Sequence, residues 1–201
     1  MSWSPEHKAR SRQRILTTAA RLFARQGFDQ VSIDQVMQEA GMTRGAFYTH
    51  FSSKSELYGE AILEAAKTAR ETRLNSAHGT DLSIERLICA YLSEEHLGDE
   101  NLHCPLAFLI GDITQRNDGV RDIWTRVFRG LVDILHRQSA QPASKQQGSE
   151  PHDAGYDRAL QRAVMMIGGV AIARALKDED LGRRLLDVCR DAALADTAEP
   201  A

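Results

Sequence analysis

Apolar residues recur along this chain at the three- and four-residue spacing of helices with one buried face, and long β-branched alternating runs are absent. The first stripe is Ile15, Leu16, Ala19, Leu22 and Phe23, with Gly27 placed to end its helix and Phe28 to fold back on it. Three short capped helices are predicted next, within 31–57. A helix opens where a short polar side chain satisfies free backbone N–H groups and a Glu or Gln three residues on returns the bond. Ser32 with Gln35 forms such a box, Val31 and Val36 stand where a hydrophobic staple would fix the entry, and Met37 and Ala40 continue the stripe. Gly41 supplies the turn, Thr43 caps the second helix with Met42 and Phe47 as its staple, and Ser53 with Glu56 repeats the box for the third.

The middle helix of the three carries the chemistry. At about 100° per residue, Ala46, Phe47 and His50 fall on one side and Arg44, Gly45, Tyr48 and Thr49 on the other. The first side packs inward. The second offers a guanidinium that can fork onto guanine, a glycine that lets backbone approach phosphate, a phenol, and a threonine methyl and hydroxyl, a set suited to a major groove. Taken singly these are ordinary surface residues; their order and spacing make them a helix-turn-helix reader.

Downstream, the helix opened by Ser53 continues through Leu57, Ala61, Ile62 and Ala65 towards Ala69 and is expected to join two domains as a lever. After a polar break at 75–81, a helix follows with Ile84, Leu87, Ile88, Tyr91 and Leu92 on one face; 98–102 break the chain, and Pro105 starts a helix over 105–116 with Cys104 at its N-terminal edge. Two long stripes come next, Val120, Ile123, Trp124, Val127, Phe128, Leu131, Ile134, Leu135 and then Leu160, Ala163, Val164, Ile167, Val170, Ala171. The Gln-, Ser-, Pro- and Gly-rich stretch 136–156 between them reads as a mobile loop. Gly168 and Gly169 inside the second stripe suggest the close approach of another helix backbone, and a last helix is expected over 181–194, before a small polar tail.

Length and charge sharpen this picture. A chain of 201 residues exceeds the roughly 60 that such a reader needs and leaves enough for a second helical core. The chain is net −3, yet Lys8 to Arg25 holds six basic residues and no acid; residues 1 to 60 carry eight basic against six acidic side chains, the rest seventeen against twenty-two. Positive charge is therefore local to the reader, as phosphate contact requires. Cys89, Cys104 and Cys189 are odd in number and lack zinc or CxxC spacing, and no signal peptide or membrane span is visible, which indicates a reducing cytoplasm. Neither GxxxxGK, GxSxG, HExxH nor a strand-borne GxGxxG occurs, so no enzyme is expected, and no metal or cofactor.

Gly41, Thr43, Arg44, Gly45, Phe47, Tyr48, His50, Phe51 and Lys54 match the signature of the TetR family of bacterial transcriptional regulators, which the first sixty residues resemble. The resemblance implies an all-α protein, with a helix-turn-helix DNA-binding domain at 1–57 and a helical effector-binding and dimerisation domain at 58–201. It implies that Arg44, Gly45, Tyr48 and Thr49 face a double-stranded operator, that Thr43 and His50 touch phosphate, and that Lys54 pins the backbone; Ser32 is counted with this set. Thr49 departs from the aromatic or His that many members carry there.

By the same resemblance the two long stripes lie where the family builds a four-helix homodimer interface, and a small-molecule effector pocket is expected among the central helices. Tyr91, Phe108, Trp124, Phe128, Met165 and Met166 are candidate walls, with Tyr91 and Trp124 able to orient a polar ligand group, although core packing would use the same residues. Cys104, beside His103, is the candidate for a thiol that senses electrophiles or oxidants, because a helix N-terminus favours thiolate, whereas Cys89 is placed on the apolar side of its helix. The expected function is a repressor released by its effector; the alternatives are thiol sensing through Cys104 and a helical adaptor without specific DNA binding.

Overall fold

The computed structural model describes residues 5–76, 83–98, 104–139 and 154–195. Among these residues there are eleven helices and no strand: α1 (Pro5–Gln30), α2 (Ile33–Glu39), α3 (Arg44–Phe47), α4 (Lys54–Ser76), α5 (Ile84–Tyr91), α6 (Glu94–Gly98), α7 (Pro105–Phe108), α8 (Ile110–Ile113), α9 (Asp118–Ser139), α10 (Ala154–Ala175) and α11 (Glu179–Ala195). Of the expected breaks at 75–81 and 98–102 and the loop over 136–156, residues 75–76, 98, 136–139 and 154–156 are helical, because the flanking helices run further than their apolar stripes; the remainder, with His103 and the polar tail, lies outside the described residues. The chain forms two compact units, residues 1–70 with 100–127, and residues 71–99 with 128–201.

The first unit is built on a core in which the α1 stripe, Ile15, Leu16, Ala19, Leu22 and Phe23, meets Val36 and Met37 of α2, Phe47 of α3, Phe51, and Leu57, Tyr58 and Ile62 of α4. Leu109 just before α8, Ile113 of α8 and Val120 of α9 complete it. Gly27 has φ +77 and breaks the helical path of α1, after which Phe28 stacks on Phe23 with ring centroids 6.1 Å apart. Gly41, at φ +64, makes the turn between α2 and α3. Both glycines sit where side chains resist the left-handed backbone.

The caps follow the predicted pattern with three differences, the first being that the Gln35 side chain donates to Gln26 Oε1 at 3.2 Å. Ser32 accepts from the Gln35 N–H at 3.0 Å, and Ser53 from the Glu56 N–H at 3.1 Å. Thr43 takes the extended N-cap conformation but makes no side-chain capping bond. The Glu56 carboxylate reaches past Ser53 to accept from the N–H of Ser52 at 2.7 Å and from its hydroxyl at 2.5 Å, and these bonds hold its pKa below the ordinary glutamate value.

The helix expected over 105–116 is two helices of four residues. Pro105 opens α7 in its first turn as predicted, but Leu109 leaves the helical path at φ −110, ψ 4. With this break Leu109 and Ile113 lie in the core, and Asp112 between them in sequence reaches the Tyr58 hydroxyl and the Phe28 N–H.

In the second unit α10 and α11 pack along their lengths, and α5 lies against both. Ala163, Ile167 and Val170 are buried as their spacing predicts, whereas Val164 is 63 % exposed. Gly169 does mark a close approach, to side chains and not to a helix backbone: a Cβ there would stand 3.0 Å from Leu92 Cδ2 and 3.2 Å from Cys189 Sγ. Gly168 meets nothing within 4 Å. The short α6 was not visible in the apolar pattern; Ser93 caps it by accepting from the His96 N–H at 3.2 Å.

Gly41→Ala should destabilise the chain by about 1–2 kcal/mol, the cost of a left-handed backbone at a residue with a Cβ. Urea denaturation followed by circular dichroism measures it, with Gly45→Ala, whose Cβ would meet nothing within 4 Å, as the control expected to cost nothing.

Candidate nucleic-acid interface

The reading face is set by which residues of α3 and its exit turn must be inside. Phe47 is fully buried, its ring 5.6 Å from that of Phe51. Ala46 and His50 are half-buried on the same side. Arg44, Gly45, Tyr48 and Thr49 are exposed, Tyr48 at 59 % despite its apolar ring. Only Arg44–Phe47 is α-helical; beyond it the Thr49 and His50 N–H groups donate three residues back to Ala46 and Phe47, at 3.3 and 2.9 Å. This tighter turn keeps the predicted faces, and the Tyr48 ring stands edge-on to Phe47 at 5.1 Å. Thr49 also donates its hydroxyl back to the Ala46 carbonyl at 2.7 Å, leaving its methyl group as the apolar part of what it offers.

The other residues of the expected set differ in surroundings. Ser32 and Thr43 are exposed at the starts of α2 and α3, Ser32 with its hydroxyl engaged as a cap. The His50 Nδ1 is buried without a hydrogen-bond partner among the described residues. Desolvation, with repulsion from Lys8 and Arg12, holds its pKa below the ordinary histidine value, so the imidazole is neutral near pH 7. Lys54 is half-buried: its Nζ lies 4.3 Å from the Phe28 ring centroid and 3.5 Å from the Asp29 carbonyl, and desolvation lowers its pKa. A phosphate contact by Lys54 would require its ammonium to leave that carbonyl.

Two arginines of the basic run, and Arg44 beyond it, are engaged within the unit. Arg12 pairs with Glu60 of α4 and lies over the Phe51 ring at 5.0 Å, Arg21 pairs with Glu39 at 2.6 Å, and Arg44 with Asp34 at 2.7 Å. Arg44 and Asp34 are both about 60 % exposed, so their pair is weak and readily exchanged for another anion.

The candidate effector residues divide between the two units. Cys104, Phe108 and Trp124 belong to the first, Tyr91, Phe128, Met165 and Met166 to the second. Tyr91 and Met166 are fully buried, and Tyr91 stands edge-on to the buried His96 at 4.6 Å, a core position. Trp124 donates its indole N–H to the Pro105 carbonyl at 3.3 Å. An apolar hollow in the first unit is lined by Ala20, Phe23, Ala24, Tyr58, Ala61, Ile62, Ala65, Pro105 and Leu109, none of them a predicted wall. The expected exposure of the thiols is reversed: Cys89 is exposed and Cys104 buried at the N-cap of a four-residue helix, where it serves packing. The core need for Cys104 was hidden because a cysteine beside a helix start looks the same in sequence whether buried or open.

Sequence reasoning missed Asp112, Arg116 and Asp29. Asp112 accepts from the Phe28 N–H and the Tyr58 hydroxyl, and Arg116 makes two 3.1 Å bonds to Asp29. Those bonds lower the Asp29 pKa, and burial followed by the Asp112 charge drives that of Tyr58 far above the phenol range. The partners are 54 to 87 residues apart in sequence, so no local spacing signals them.

Residues 15–61 match the family described as bacterial regulatory proteins, tetR family. The chain is 40 % identical over 76 residues to the HTH-type transcriptional regulator SrpR of Pseudomonas putida, covering 38 % of this chain and 33 % of that protein. It is equally identical over 76 residues to the uncharacterised regulator TtgW of the same species, covering 53 % of that protein. It thus spans a third to a half of these relatives. With the HTH-type transcriptional repressor BepR of Brucella suis it is 27 % identical over 174 residues, 80 % of this chain and 78 % of that one. The fold is that of Escherichia coli NemR in its reduced form, with TM-score 0.73 at 17 % identity over 96 % of this chain and 99 % of the other. A TetR-family regulator from Agrobacterium tumefaciens gives TM-score 0.70 at 21 % identity, over 92 % and 98 %.

Arg44→Ala should weaken binding to a preferred duplex by about 1–3 kcal/mol and flatten the preference for that sequence. Gly45→Ala should weaken binding with no loss of stability, since its added methyl group points only to solvent. Fluorescence anisotropy against matched and scrambled duplexes, alongside thermal melts, separates the two effects.

Proposed function

We propose that this chain, whose residues 15–61 match the tetR family of bacterial regulatory proteins, is a DNA-binding transcriptional repressor of that family that reads a palindromic operator as a homodimer and is released by a small-molecule effector. The observation that carries the reading is the outward set Arg44, Gly45, Tyr48 and Thr49 on a turn whose inward residues, Phe47 and Phe51, are fully buried. Residues 1–57 read DNA; 58–201 hold the effector and the partner subunit. The protein acts in the cytoplasm, where its target lies and free thiols persist, and it is not an enzyme. No helix among the described residues is long and apolar enough to cross a membrane.

The homodimer rests on α10 and α11, and not on the α9 and α10 stripes expected from the sequence, because Val120, Leu131 and Leu135 of the α9 stripe are buried within the subunit itself. Val164 and Ile172 of α10, eight residues apart on one face with Gly168 between them, are exposed, as are Leu181 and Val188 of α11. Large apolar side chains gathered on one helix pair are more typical of an interface than of free surface. Two readers on a two-fold axis contact half-sites roughly 34–36 Å apart and gain affinity together. Release requires the effector to favour the shape that fits DNA poorly, and only that difference in affinity can move the equilibrium.

Anisotropy with DNA from upstream of the protein's own gene, against a scrambled duplex at two salt concentrations, tests the regulator. Tight, salt-sensitive binding to the upstream duplex at two subunits per site is the expected result, and absence of salt-dependent binding to either duplex would return the adaptor reading. Ile172→Glu should shift sedimentation velocity from dimer to monomer and weaken operator binding without loss of helicity; an unchanged sedimentation coefficient would place the interface elsewhere.

A further inference from the structure

The reader segment 31–53 is entered and left through two points that a single carboxylate oxygen holds. Asp112 Oδ2 accepts from the Phe28 N–H at 2.6 Å and from the Tyr58 hydroxyl at 2.9 Å. Phe28 lies four residues before the Ser32 cap of α2; Tyr58 lies one turn into α4, which follows the reader. Arg116, one turn beyond Asp112, places Nη2 3.9 Å from Asp112 Oδ1 and grips Asp29 with two bonds. The Arg116 guanidinium and the Lys54 ammonium both lie over the Phe28 ring, at 4.4 and 4.3 Å. Gly27 brings the backbone there: a Cβ in its place would stand 3.6 Å from Asp112 Oδ2. Apart from Lys54, an expected phosphate contact, none of these residues belongs to the DNA-facing set, and α8 lies outside the residues 15–61 that match the family.

We infer that Asp112 is a positioning residue for DNA recognition, fixing the entry and exit of the helix-turn-helix against each other through Phe28 and Tyr58. The inference rests on the regulator reading above. Helices of seven and four residues have little stiffness of their own, so their orientation is inherited from what holds their flanks. Hydrogen bonds to an ionised acceptor are about twice as strong as neutral ones, and here two converge on one oxygen beside a guanidinium. Without that oxygen the apolar core still buries Phe47, but the turn over 27–30 can swing. The reader then spends only part of its time in the orientation that fits the groove, and apparent affinity falls by that fraction.

The test compares four single variants of the whole chain, Asp112→Ala, Asp112→Asn, Tyr58→Phe and Val120→Ala, and the Asp112→Ala/Tyr58→Phe double variant, by operator binding, thermal melting and amide hydrogen exchange. Val120 is buried in the same core and takes no part in the hydrogen bonds or ion pairs of the clamp, so its truncation reports what lost stability alone does to binding. Asp112→Ala should lower operator affinity roughly tenfold and raise exchange across 31–53 while sparing α10 and α11. Asp112→Asn, which keeps an acceptor for both donors but not the charge, should recover part of the affinity. Tyr58→Phe should lose less than Asp112→Ala and add little to it in the double variant. Wild-type affinity in Asp112→Ala, or a loss matched by Val120→Ala at equal melting temperature, would overturn the assignment. If the wild-type chain bound no duplex at all, the regulator reading would fall and the recognition role with it, whereas raised exchange in Asp112→Ala would still establish the clamp.

Discussion

A helix of four residues closes too few hydrogen bonds to persist in water, so everything α3 presents depends on the burial of Phe47. That side chain is fully enclosed by α1, α2 and α4, and it fixes the rotation of the turn about its own axis. Once Phe47 is inward, Arg44 and Tyr48 are outward by geometry, and the exposed Tyr48 ring is steadied by its edge-on contact with Phe47. The first unit can be understood as a set of longer elements, α1, α4 and the segment from α7 into α9, that hold two helices too short to hold themselves. Polar contacts then set what apolar packing leaves free: burial decides which side faces in, and the Asp112 bonds to Phe28 and Tyr58 limit how the flanks tilt.

Charge in this unit is arranged for exchange. A chain of net −3 concentrates positive charge in its first sixty residues, yet Arg12, Arg21 and Arg44 each have an acidic partner inside the unit. Exposed ion pairs contribute about 0–1 kcal/mol, less than a guanidinium gains from a phosphate or a guanine edge with counterion release. The free protein therefore keeps its cations oriented at small cost. His50 fits this logic, since an imidazole kept neutral by burial adds no repulsion among Lys8 and Arg12 until an anion approaches.

The second unit follows a different packing rule. Small residues let α10 and α11 come close: Gly169 admits Leu92 and Cys189, and Gly182 lies against the Ala173 carbonyl, 3.6 Å from where its Cβ would be. Arg162, almost fully buried, donates to the Ala193 carbonyl at 3.1 Å, covering an acceptor near the end of α11. The large apolar residues that do not enter this contact, Val164, Ile172, Leu181 and Val188, are the ones the proposed homodimer would cover.

The sequence by itself determined the helical class, the places of the long helices though not their ends, the caps at Ser32 and Ser53, the turns at Gly27 and Gly41, and the two faces of the reader. Each of these is a local property, set by residues within one or two turns of one another, and period and capping chemistry report it directly. Only the tertiary structure decided what depends on distant partners. It broke the helix predicted after Pro105 at Leu109, buried Cys104 and exposed Cys89, turned Val164 outward, drew Lys54 onto Phe28, and joined Asp112 to residues more than fifty positions away. An apolar stripe states that a face will be buried but not against what, and a charged residue shows its partner only when the chain has brought the two together.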